Sequence, residues 1–238
     1  MASGLLLAGA AVARPRRSLA AVDRFEGTSL DCVRSTRPVF RGLDFALAGG
    51  GALVLTGPNG SGKSSLLRLM AGLLPAAAGS LSWNGAPVAD DPDAHRLRLR
   101  YLGHLDAVKP ALTVSENLAF WAGLMGADAA QSVDPALDAL GIAHLADLPA
   151  RFLSAGQKRR VNLARLALAP AALWLLDEPA TALDAETTDR LRALIRRHRD
   201  AGGMAVVSTH SDLGLEAASN LDLAAFAARA LAADEAAA

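Results

Sequence analysis

The sequence predicts an α/β fold in which buried strands alternate with helices, and three short segments carry this prediction. The apolar run 52–56 is rich in strand formers and leads into a glycine-rich loop and then leucines at helical spacing. The apolar run 171–176 ends in two carboxylates, and the segment 206–210 ends in a histidine. Buried parallel strands with polar residues at their carboxyl ends are typical of ligand-binding α/β sheets.

Composition limits the class of protein. The chain has 238 residues, of which 52% are hydrophobic, so it suits one ordinary domain and is not intrinsically disordered. Lys+Arg 24 balances Asp+Glu 24, which gives no reason to expect nucleic-acid binding. The mean hydropathy is +0.25, yet the longest apolar stretch, 4–13, is about half as long as a membrane-spanning helix. The single cysteine excludes a disulfide framework and a multi-cysteine metal site.

The two ends of the chain are expected to lie outside the folded domain. Residues 4–13 have the length of the apolar region of a signal peptide and 11–13 resemble a cleavage site, but no basic residue precedes them. We interpret residues 1–27 as a poorly ordered leader, or as the product of a start codon assigned too early. Residues 213–238 are interpreted as an alanine-rich tail, so the predicted domain spans 28–212.

A phosphate-binding loop follows the first predicted strand. The segment that begins at Gly57 satisfies G-x-x-x-x-G-K-[ST] in full, between the strand and the helix that this motif requires. Its glycines allow backbone N–H groups to turn towards phosphate oxygens at a helix N-terminus. Lys63 can reach the β- and γ-phosphates, and the Ser64 hydroxyl can bind Mg²⁺. The residues predicted to bind ATP are Gly57, Pro58, Asn59, Gly60, Ser61, Gly62, Lys63, Ser64 and Ser65.

Two carboxylates at the end of the second predicted strand supply a candidate catalytic site. Asp177 is placed to hold Mg²⁺ through water, and Glu178, turned to the other side, to accept a proton from an attacking water or to orient it. An apolar run that ends in Asp-Glu is common in proteins. Its position downstream of a phosphate loop favours the metal and catalytic interpretation.

The segment 153–157 reads Leu-Ser-Ala-Gly-Gln and precedes a helix with a basic first turn. The residues alone also fit a serine-capped amphipathic helix with 158–160 as a solvated face. The segment resembles the LSGGQ signature of ATP-binding cassette (ABC) ATPases, with Ala155 in place of the first glycine. Five motifs follow the order of that family: the phosphate loop, the signature, the Asp-Glu strand, 182–184 resembling the D-loop, and 206–210 resembling the strand before the switch histidine.

This resemblance implies a P-loop NTPase fold of ABC ATPase type, with a mixed central sheet, an antiparallel β subdomain and a helical subdomain at about 105–160. It implies a homodimer in which each ATP, with Mg²⁺, lies between the phosphate loop of one copy and the signature of the other. Glu178 would be the catalytic base, His210 the switch residue, and Asp184 would help to join the two sites. The signature residues expected at the partner's ATP are Ser154, Ala155, Gly156 and Gln157.

Two further positions depart from the family pattern. The glutamine that usually follows the central sheet is replaced by His104, whose imidazole can still contact water or metal; a plain surface role is the alternative. An imidazole can also change its charge near neutral pH, which an amide cannot. The aromatic residue that usually stacks on adenine is missing, and its place falls near Arg34, whose guanidinium can stack on a base. His95, His144 and His198 are interpreted as surface residues.

Four segments, at 101–104, 153–160, 173–179 and 202–204, resemble the ATP-binding subunits of the cytochrome c maturation ABC complex, long described as a haem exporter. The resemblance implies a peripheral ATPase at the cytoplasmic face of the bacterial inner membrane. Its partners would be an integral membrane subunit and other cytochrome c maturation proteins, and no nucleic acid. ATP-driven closure of the dimer would drive haem export or release of a haem chaperone.

Three other functions remain open on the sequence. The chain fits an ATPase subunit of another ABC transporter, for a lipid, a drug or a metal chelate. A soluble ABC regulator of ribosomes or DNA usually joins two ATPase units or inserts a long coiled coil, and a module that holds ATP without turnover does not need Glu178 and His210. The helical subdomain also carries an apolar stripe that fits either its own core or a membrane partner: Phe120, Trp121, Leu124 and Met125.

Overall fold

Two sheets and six α-helices, with three short 3-10 helices and a helical segment that starts at residue 224, make up the part of the chain that the computed structural model describes, which is residues 23–210, residues 212–227 and residue 230. The strands are β1 (Arg24–Arg34), β2 (Arg37–Ala48), β3 (Ala52–Thr56), β4 (Ala78–Trp83), β5 (Ala86–Pro87), β6 (Leu99–Leu102), β7 (Leu173–Asp177), β8 (Met204–Ser208) and β9 (Ser219–Asp222). The helices are α1 (Lys63–Met70), α2 (Pro92–Arg98), α3 (Val114–Leu124), α4 (Ala129–Ala139), α5 (Ala155–Leu168) and α6 (Ala185–Asp200).

Parallel and antiparallel pairing fall in different sheets. The order β6-β7-β8-β3-β9 gives a sheet in which every described pair is parallel, and β2-β1-β4-β5 gives an antiparallel sheet. In the described residues, the expected mixture of parallel and antiparallel strands is therefore divided between two sheets, one parallel and one antiparallel. Because β3, β7 and β8 run in the same direction, the loops that follow them open at one edge of the parallel sheet.

Both faces of the parallel sheet are buried at its central strands β3, β7 and β8, which explains their apolar runs. Leu173 and Leu175 belong to a core shared with the antiparallel sheet and α1. Trp174 and Leu176 belong to a second core built with residues of α3, α4, α5 and α6. Successive side chains of a strand point to opposite faces, so β7 separates two apolar layers without a solvent-facing side.

The folded domain begins earlier than residue 28. Residues 1–22 of the predicted leader lie outside the described residues. Residues 24–27 form the start of β1 and pair with the end of β2. Phe25 is fully buried against Phe45 and Trp83. The predicted boundary at residue 27 is therefore corrected to a position before β1. The burial of Phe25 holds residues 24–27 in the sheet, although apolar and polar residues alternate only weakly there.

The predicted tail also contributes to the fold. Ser219–Asp222 forms β9 at the edge of the parallel sheet and pairs with β3 from Leu53 to Thr56. Leu213 and Leu223, on either side of it, are buried. The boundary at residue 212 is therefore corrected as well. A polar stretch such as Ser-Asn-Leu-Asp has no strand pattern, and its pairing comes from backbone groups of the neighbouring strand.

The interpretation of His95, His144 and His198 as surface residues is wrong for His95 and His198. His95 is almost fully buried, its ring stacks against Phe25, and its Nε2 lies 2.8 Å from the carbonyl oxygen of Met70. His198 is half-buried and stacks on Trp174 with 3.9 Å between ring centroids. His144 is exposed.

The apolar stripe of the helical subdomain is divided between core and surface. Trp121 and Met125 pack against the core that includes α5. Phe120 is 38% exposed and Leu124 is 65% exposed, on the outer side of α3. Trp121 and Met125 therefore fit the interpretation as subdomain core, and Phe120 and Leu124 remain exposed for a partner. In the described part of the chain, no helix combines the length and apolar character needed to cross a bilayer.

Candidate functional site

A cleft of about 570 Å³ lies at the edge where β3 and β7 end, beside the residues that follow β6 and β8. It brings together residues that are far apart in the sequence, including six of the nine predicted phosphate-loop residues, both carboxylates, His104 and His210, whereas Gly57, Pro58 and Ser61 are not part of its lining. Its lining consists of Arg34, Val39, Asn59, Gly60, Gly62, Lys63, Ser64, Ser65, His104, Asp177, Glu178, Thr181 and His210.

The loop after β3 has the backbone that an anion-binding turn needs. Gly57, Gly60 and Gly62 have φ values of +129°, +83° and +104°, in a region that L side chains rarely adopt. Gly62 is the N-cap of α1 and accepts the N–H of Leu66 at 2.8 Å, so the helix starts at the loop. The first turn of α1 has N–H groups without an intrahelical partner, and the positive end of the helix dipole lies at this loop.

Lys63 is buried beneath this loop. Its Nζ donates to the carbonyl oxygen of Gly57 at 2.7 Å and to that of Pro58 at 3.2 Å. The same Nζ lies 3.3 Å from Nε2 of His210, which in turn lies 3.4 Å from Oε1 of Glu178. One imidazole nitrogen thus lies between an ammonium group and a carboxylate, and its tautomer decides which of the two it contacts by a hydrogen bond.

Asp177 is almost fully buried at the end of β7. Ser208 of β8, itself fully buried, donates its hydroxyl to Oδ1 of Asp177 at 2.6 Å. Ser64, at the start of α1, presents its side chain to the same cleft. A carboxylate and a hydroxyl are the hard oxygen donors that Mg²⁺ prefers, so these residues fit that ion. The described residues contain no cluster of three or more His, Cys, Asp or Glu that would hold a metal alone.

Glu178 has an unusual backbone for its side chain. Its φ is +48°, a left-handed conformation that costs free energy for a residue with a Cβ. The N–H of Glu178 donates to the carbonyl oxygen and to the hydroxyl oxygen of Ser208, both at 3.1 Å. Its Oε1 is buried and has no hydrogen-bond partner among the described residues beyond the charge contact with His210.

The signature residues lie outside the cleft of their own chain. Ser154 caps α5: its Oγ accepts the N–H of Gln157 at 3.2 Å, and Oε1 of Gln157 accepts the N–H of Ser154 at 2.8 Å. Ser154 and Ala155 are exposed, and Gly156 is half-buried close to Ala182. The chain thus presents a helix N-terminus, with a polar cap, to its surroundings.

Asp184 acts as a cap within its own chain. Its carboxylate accepts the N–H of Thr187 at 2.8 Å at the start of α6, and Arg160 lies 3.2 Å from its other oxygen. The hydrogen bonds from Thr187, and then the charge of Arg160, hold the pKa of Asp184 below its ordinary value. The carboxylate of this predicted D-loop residue therefore binds groups of its own chain.

Sequence reasoning missed several residues of this site. Val39 and Thr181 line the cleft, but they belong to no sequence motif that would have predicted it. Ser208 was seen only as part of a strand, and its partner Asp177 lies on another segment. Arg159 was counted in a solvated basic face, yet only 5% of it is exposed. That interpretation is wrong for Arg159, and only the fold reveals what it contacts.

The comparisons with known proteins agree on one family. A family model described as "ABC transporter" matches residues 40–181. A protein of Rhodospirillum rubrum named "Cytochrome c biogenesis ATP-binding export protein CcmA" is 61% identical over 203 residues, which cover 85% of this chain and 87% of the relative. A relative of the same name in Paramagnetospirillum magneticum is 57% identical over 206 residues, covering 85% of this chain and 95% of the relative.

Solved structures show the same fold. A putative ABC transporter ATP-binding protein from Pyrococcus furiosus superposes with a TM-score of 0.75 at 24% identity, covering 85% of this chain and 98% of that one. A structure described as the ATP binding subunit of an ABC transporter has a TM-score of 0.71 at 25% identity, covering 78% and 79% of the two chains.

Proposed function

The chain belongs to the ABC transporter family of ATP-binding proteins, and from this membership we propose that it is the ATP-hydrolysing subunit of a cytochrome c biogenesis exporter. It binds ATP as an ABC ATPase. The observation that carries the catalytic part is the convergence of Lys63, His210 and Glu178 at the mouth of the phosphate loop. The likeness to relatives named for cytochrome c biogenesis, at up to 61% identity, carries the pathway.

The phosphate loop and Lys63 bind the triphosphate. The backbone N–H groups between Gly57 and Lys63 surround the β- and γ-phosphates, and the N-terminus of α1 adds a favourable dipole. The Lys63 ammonium exchanges its present carbonyl partners in the loop for phosphate oxygens. Arg34 and Val39, on the antiparallel sheet at one side of the cleft, are available to contact the adenine ring of ATP.

Glu178 acts as the general base of hydrolysis. Its carboxylate takes a proton from the water that attacks the γ-phosphorus, while the bond to the bridging oxygen of ADP breaks. His210 contacts the γ-phosphate and keeps Glu178 oriented, which fits the 3.4 Å contact between the two side chains.

Ser64 and Asp177 are the residues that would hold Mg²⁺, with His104 as a further candidate at the cleft. The ion supplies positive charge that offsets the charge of the β- and γ-phosphates. The Ser208 hydroxyl fixes Oδ1 of Asp177 and so leaves the other carboxylate oxygen to face the cleft.

A second copy of the chain completes each site. The signature helix N-terminus is exposed in this chain and suits an anion. We propose that Ser154, Ala155, Gly156 and Gln157 contact the γ-phosphate bound by the partner copy, and that Asp184 lies at the seam between the copies. An integral membrane subunit would bind the helical subdomain and place the complex at the cytoplasmic face of the bacterial inner membrane.

Glu178→Gln in the full-length chain tests the catalytic assignment. We expect ATP binding to persist, a nucleotide-bound dimer to accumulate, and the single-turnover rate of hydrolysis to fall about 10²–10⁴-fold. Glu186→Gln, which removes an exposed carboxylate paired with Arg190, is the matched control and should hydrolyse ATP normally. Wild-type turnover by Glu178→Gln would contradict the role of Glu178.

Deletion of the gene tests the pathway. We expect the loss of haem staining of c-type cytochromes, restored by the wild-type gene and not by the gene for Glu178→Gln. Normal staining in the deletion strain would leave the ATPase intact as an assignment and would exclude its role in cytochrome c biogenesis.

A further inference from the structure

Arg159 is a buried arginine on the signature helix that the reaction above does not use. It lies early in α5, and only 5% of its surface is exposed, whereas its neighbours Lys158 and Arg160 are half-buried. A buried guanidinium is costly unless its N–H groups and its charge are satisfied. The partners of Arg159 therefore indicate why the charge lies there.

One side of the guanidinium binds the turn that carries the two carboxylates. Nη2 of Arg159 donates to the carbonyl oxygen of Glu178 at 2.7 Å and to that of Asp177 at 3.1 Å. Nε donates to the carbonyl oxygen of Pro179 at 3.4 Å. One side chain from α5 thus binds three consecutive carbonyl groups, from the last residue of β7 and the two residues that follow it.

The other side of the guanidinium binds the loop that follows β6. Nη1 of Arg159 donates to the carbonyl oxygen of Gly103 at 3.3 Å and to Oδ1 of Asp106 at 3.2 Å. Asn162, one turn further along α5, approaches the same Oδ1 at 3.4 Å. This loop also carries His104, which lines the cleft. The planar fork of arginine allows such contacts in two directions, and a lysine ammonium does not.

Glu178 needs this support because its backbone is strained. A left-handed conformation of a non-glycine residue costs free energy and persists only when its surroundings hold it. Ser208 binds the N–H of Glu178, and Arg159 binds its carbonyl oxygen. The peptide groups on both sides of the Cα are therefore fixed, and with them the direction in which the side chain leaves the backbone.

We propose that Arg159 is a positioning residue for ATP hydrolysis: it holds Glu178 in the conformation that aims its carboxylate, and through Asp106 it ties that conformation to the loop that carries His104. The inference rests on the proposed role of Glu178 as the base. A movement of this loop or of the signature helix then changes the orientation of Glu178 through the guanidinium of Arg159.

The first test separates chemistry from binding. Arg159→Gln in the full-length chain should lower kcat for ATP hydrolysis about tenfold to a hundredfold, because the base is misoriented, while KM and the affinity for an ATP analogue change less than about threefold. Arg199→Gln is the matched control, since Arg199 also donates to backbone carbonyl oxygens, those of Gly50 and Glu216, away from the cleft. It should lower the melting temperature and leave kcat unchanged. A normal kcat for Arg159→Gln would overturn the proposal.

The second test asks whether Arg159 acts through Glu178. In a Glu178→Gln background, Arg159→Gln should change the residual single-turnover rate less than about twofold, since the group that Arg159 positions is already lost. An equal fold-loss in both backgrounds would overturn the proposal, because Arg159 would then act by another route. Failure of the role of Glu178 itself has a different signature, which is normal turnover in Glu178→Gln alone.

Asp106→Ala tests the link to the loop and keeps the guanidinium in place. We expect kcat to fall about threefold to tenfold with KM unchanged, and the loss to disappear in the Glu178→Gln background. This variant also keeps the proposal testable if Arg159→Gln does not fold. An unchanged kcat in Asp106→Ala would overturn the connection between the loop and the base.

Discussion

Ser208 donates its hydroxyl to Oδ1 of Asp177 across 2.6 Å, and the same hydroxyl oxygen accepts the N–H of Glu178 at 3.1 Å. Both Ser208 and Asp177 are buried, so water does not replace these bonds readily. A side chain of β8 thus orients two consecutive residues at the end of β7. The two strands are neighbours in the parallel sheet, so the position of the turn that carries Asp177 and Glu178 depends on strand pairing.

Removal of this hydroxyl should weaken the fold and the site together. Ser208→Ala leaves a buried carboxylate oxygen of Asp177 without its donor, so we expect the free energy of unfolding to fall by about 1–3 kcal/mol. Urea unfolding measures this change. Ser132→Ala is the control, because the Ser132 hydroxyl is buried without a hydrogen-bond partner in the described part of the chain. A loss as large in Ser132→Ala would mean that hydroxyl deletion as such, and not the Asp177 contact, is responsible.

Two glycines of the phosphate loop should differ in their tolerance of alanine. Both have positive φ, but a Cβ on Gly62 would meet Cγ1 of Val39 at 2.7 Å, whereas a Cβ on Gly60 would meet no atom within 4 Å. Gly62→Ala should therefore cost about 1–3 kcal/mol more than Gly60→Ala in free energy of unfolding, because steric overlap adds to the shared backbone strain. Equal losses would show that φ alone limits both positions.

Lys63→Ala should weaken nucleotide binding itself. The variant loses the charge that neutralises phosphate, and a hydrogen bond to a charged group contributes about 1.5–3 kcal/mol, so we expect affinity to fall at least about tenfold. Titration of a fluorescent ATP analogue measures it. Lys109→Ala removes a lysine that lies over the Phe120 ring on the surface of the helical subdomain and should bind normally. Unchanged affinity in Lys63→Ala would exclude Lys63 from the nucleotide site.

Acid should destabilise the fold through its buried imidazoles. Burial lowers the pKa of His95 and that of His198 below the ordinary value of 6.5, against the opposing effect of a backbone hydrogen bond in each case. The unfolded chain then takes up protons that the folded chain does not, so the free energy of unfolding falls as the pH drops through about 6.5 and below.

Each such histidine adds a slope of at most about 1.4 kcal/mol per pH unit to this decline. Urea unfolding at a series of pH values between 8 and 5 measures the slope. His95→Phe keeps the aromatic packing against Phe25 and should show a shallower decline than the wild type. Exposed His144→Gln should not change the decline. The same slope in His95→Phe as in the wild type would contradict a neutral buried His95.

Local patterns predicted the elements whose residues are defined by their immediate neighbours. The strand at 52–56 has the predicted bounds, and the cap of α5 at Ser154 follows from a serine three residues before a glutamine. The strands predicted at 171–176 and 206–210 are β7 and β8, and each begins two residues away from the predicted position, at Leu173 and Met204.

Features that depend on distant partners were not predictable in this way. β9 is a strand because β3 offers it backbone groups, and no apolar alternation marks it. Arg159 reads as one of three basic residues in a row until its carbonyl partners, from two other segments, are known. The same holds for Ser208, whose contact with Asp177 joins residues on two strands.

The left-handed backbone of Glu178 sets stability against activity at a single position. A glycine there would relieve the conformational cost of the positive φ and would remove the carboxylate at the same time. A β-branched residue would lose the carboxylate and add further strain, since its side chain is least compatible with that backbone. Glutamic acid at residue 178 thus stands against the preference of its backbone. A substitution that stabilised the chain at this position would also remove the carboxylate that we propose as the general base.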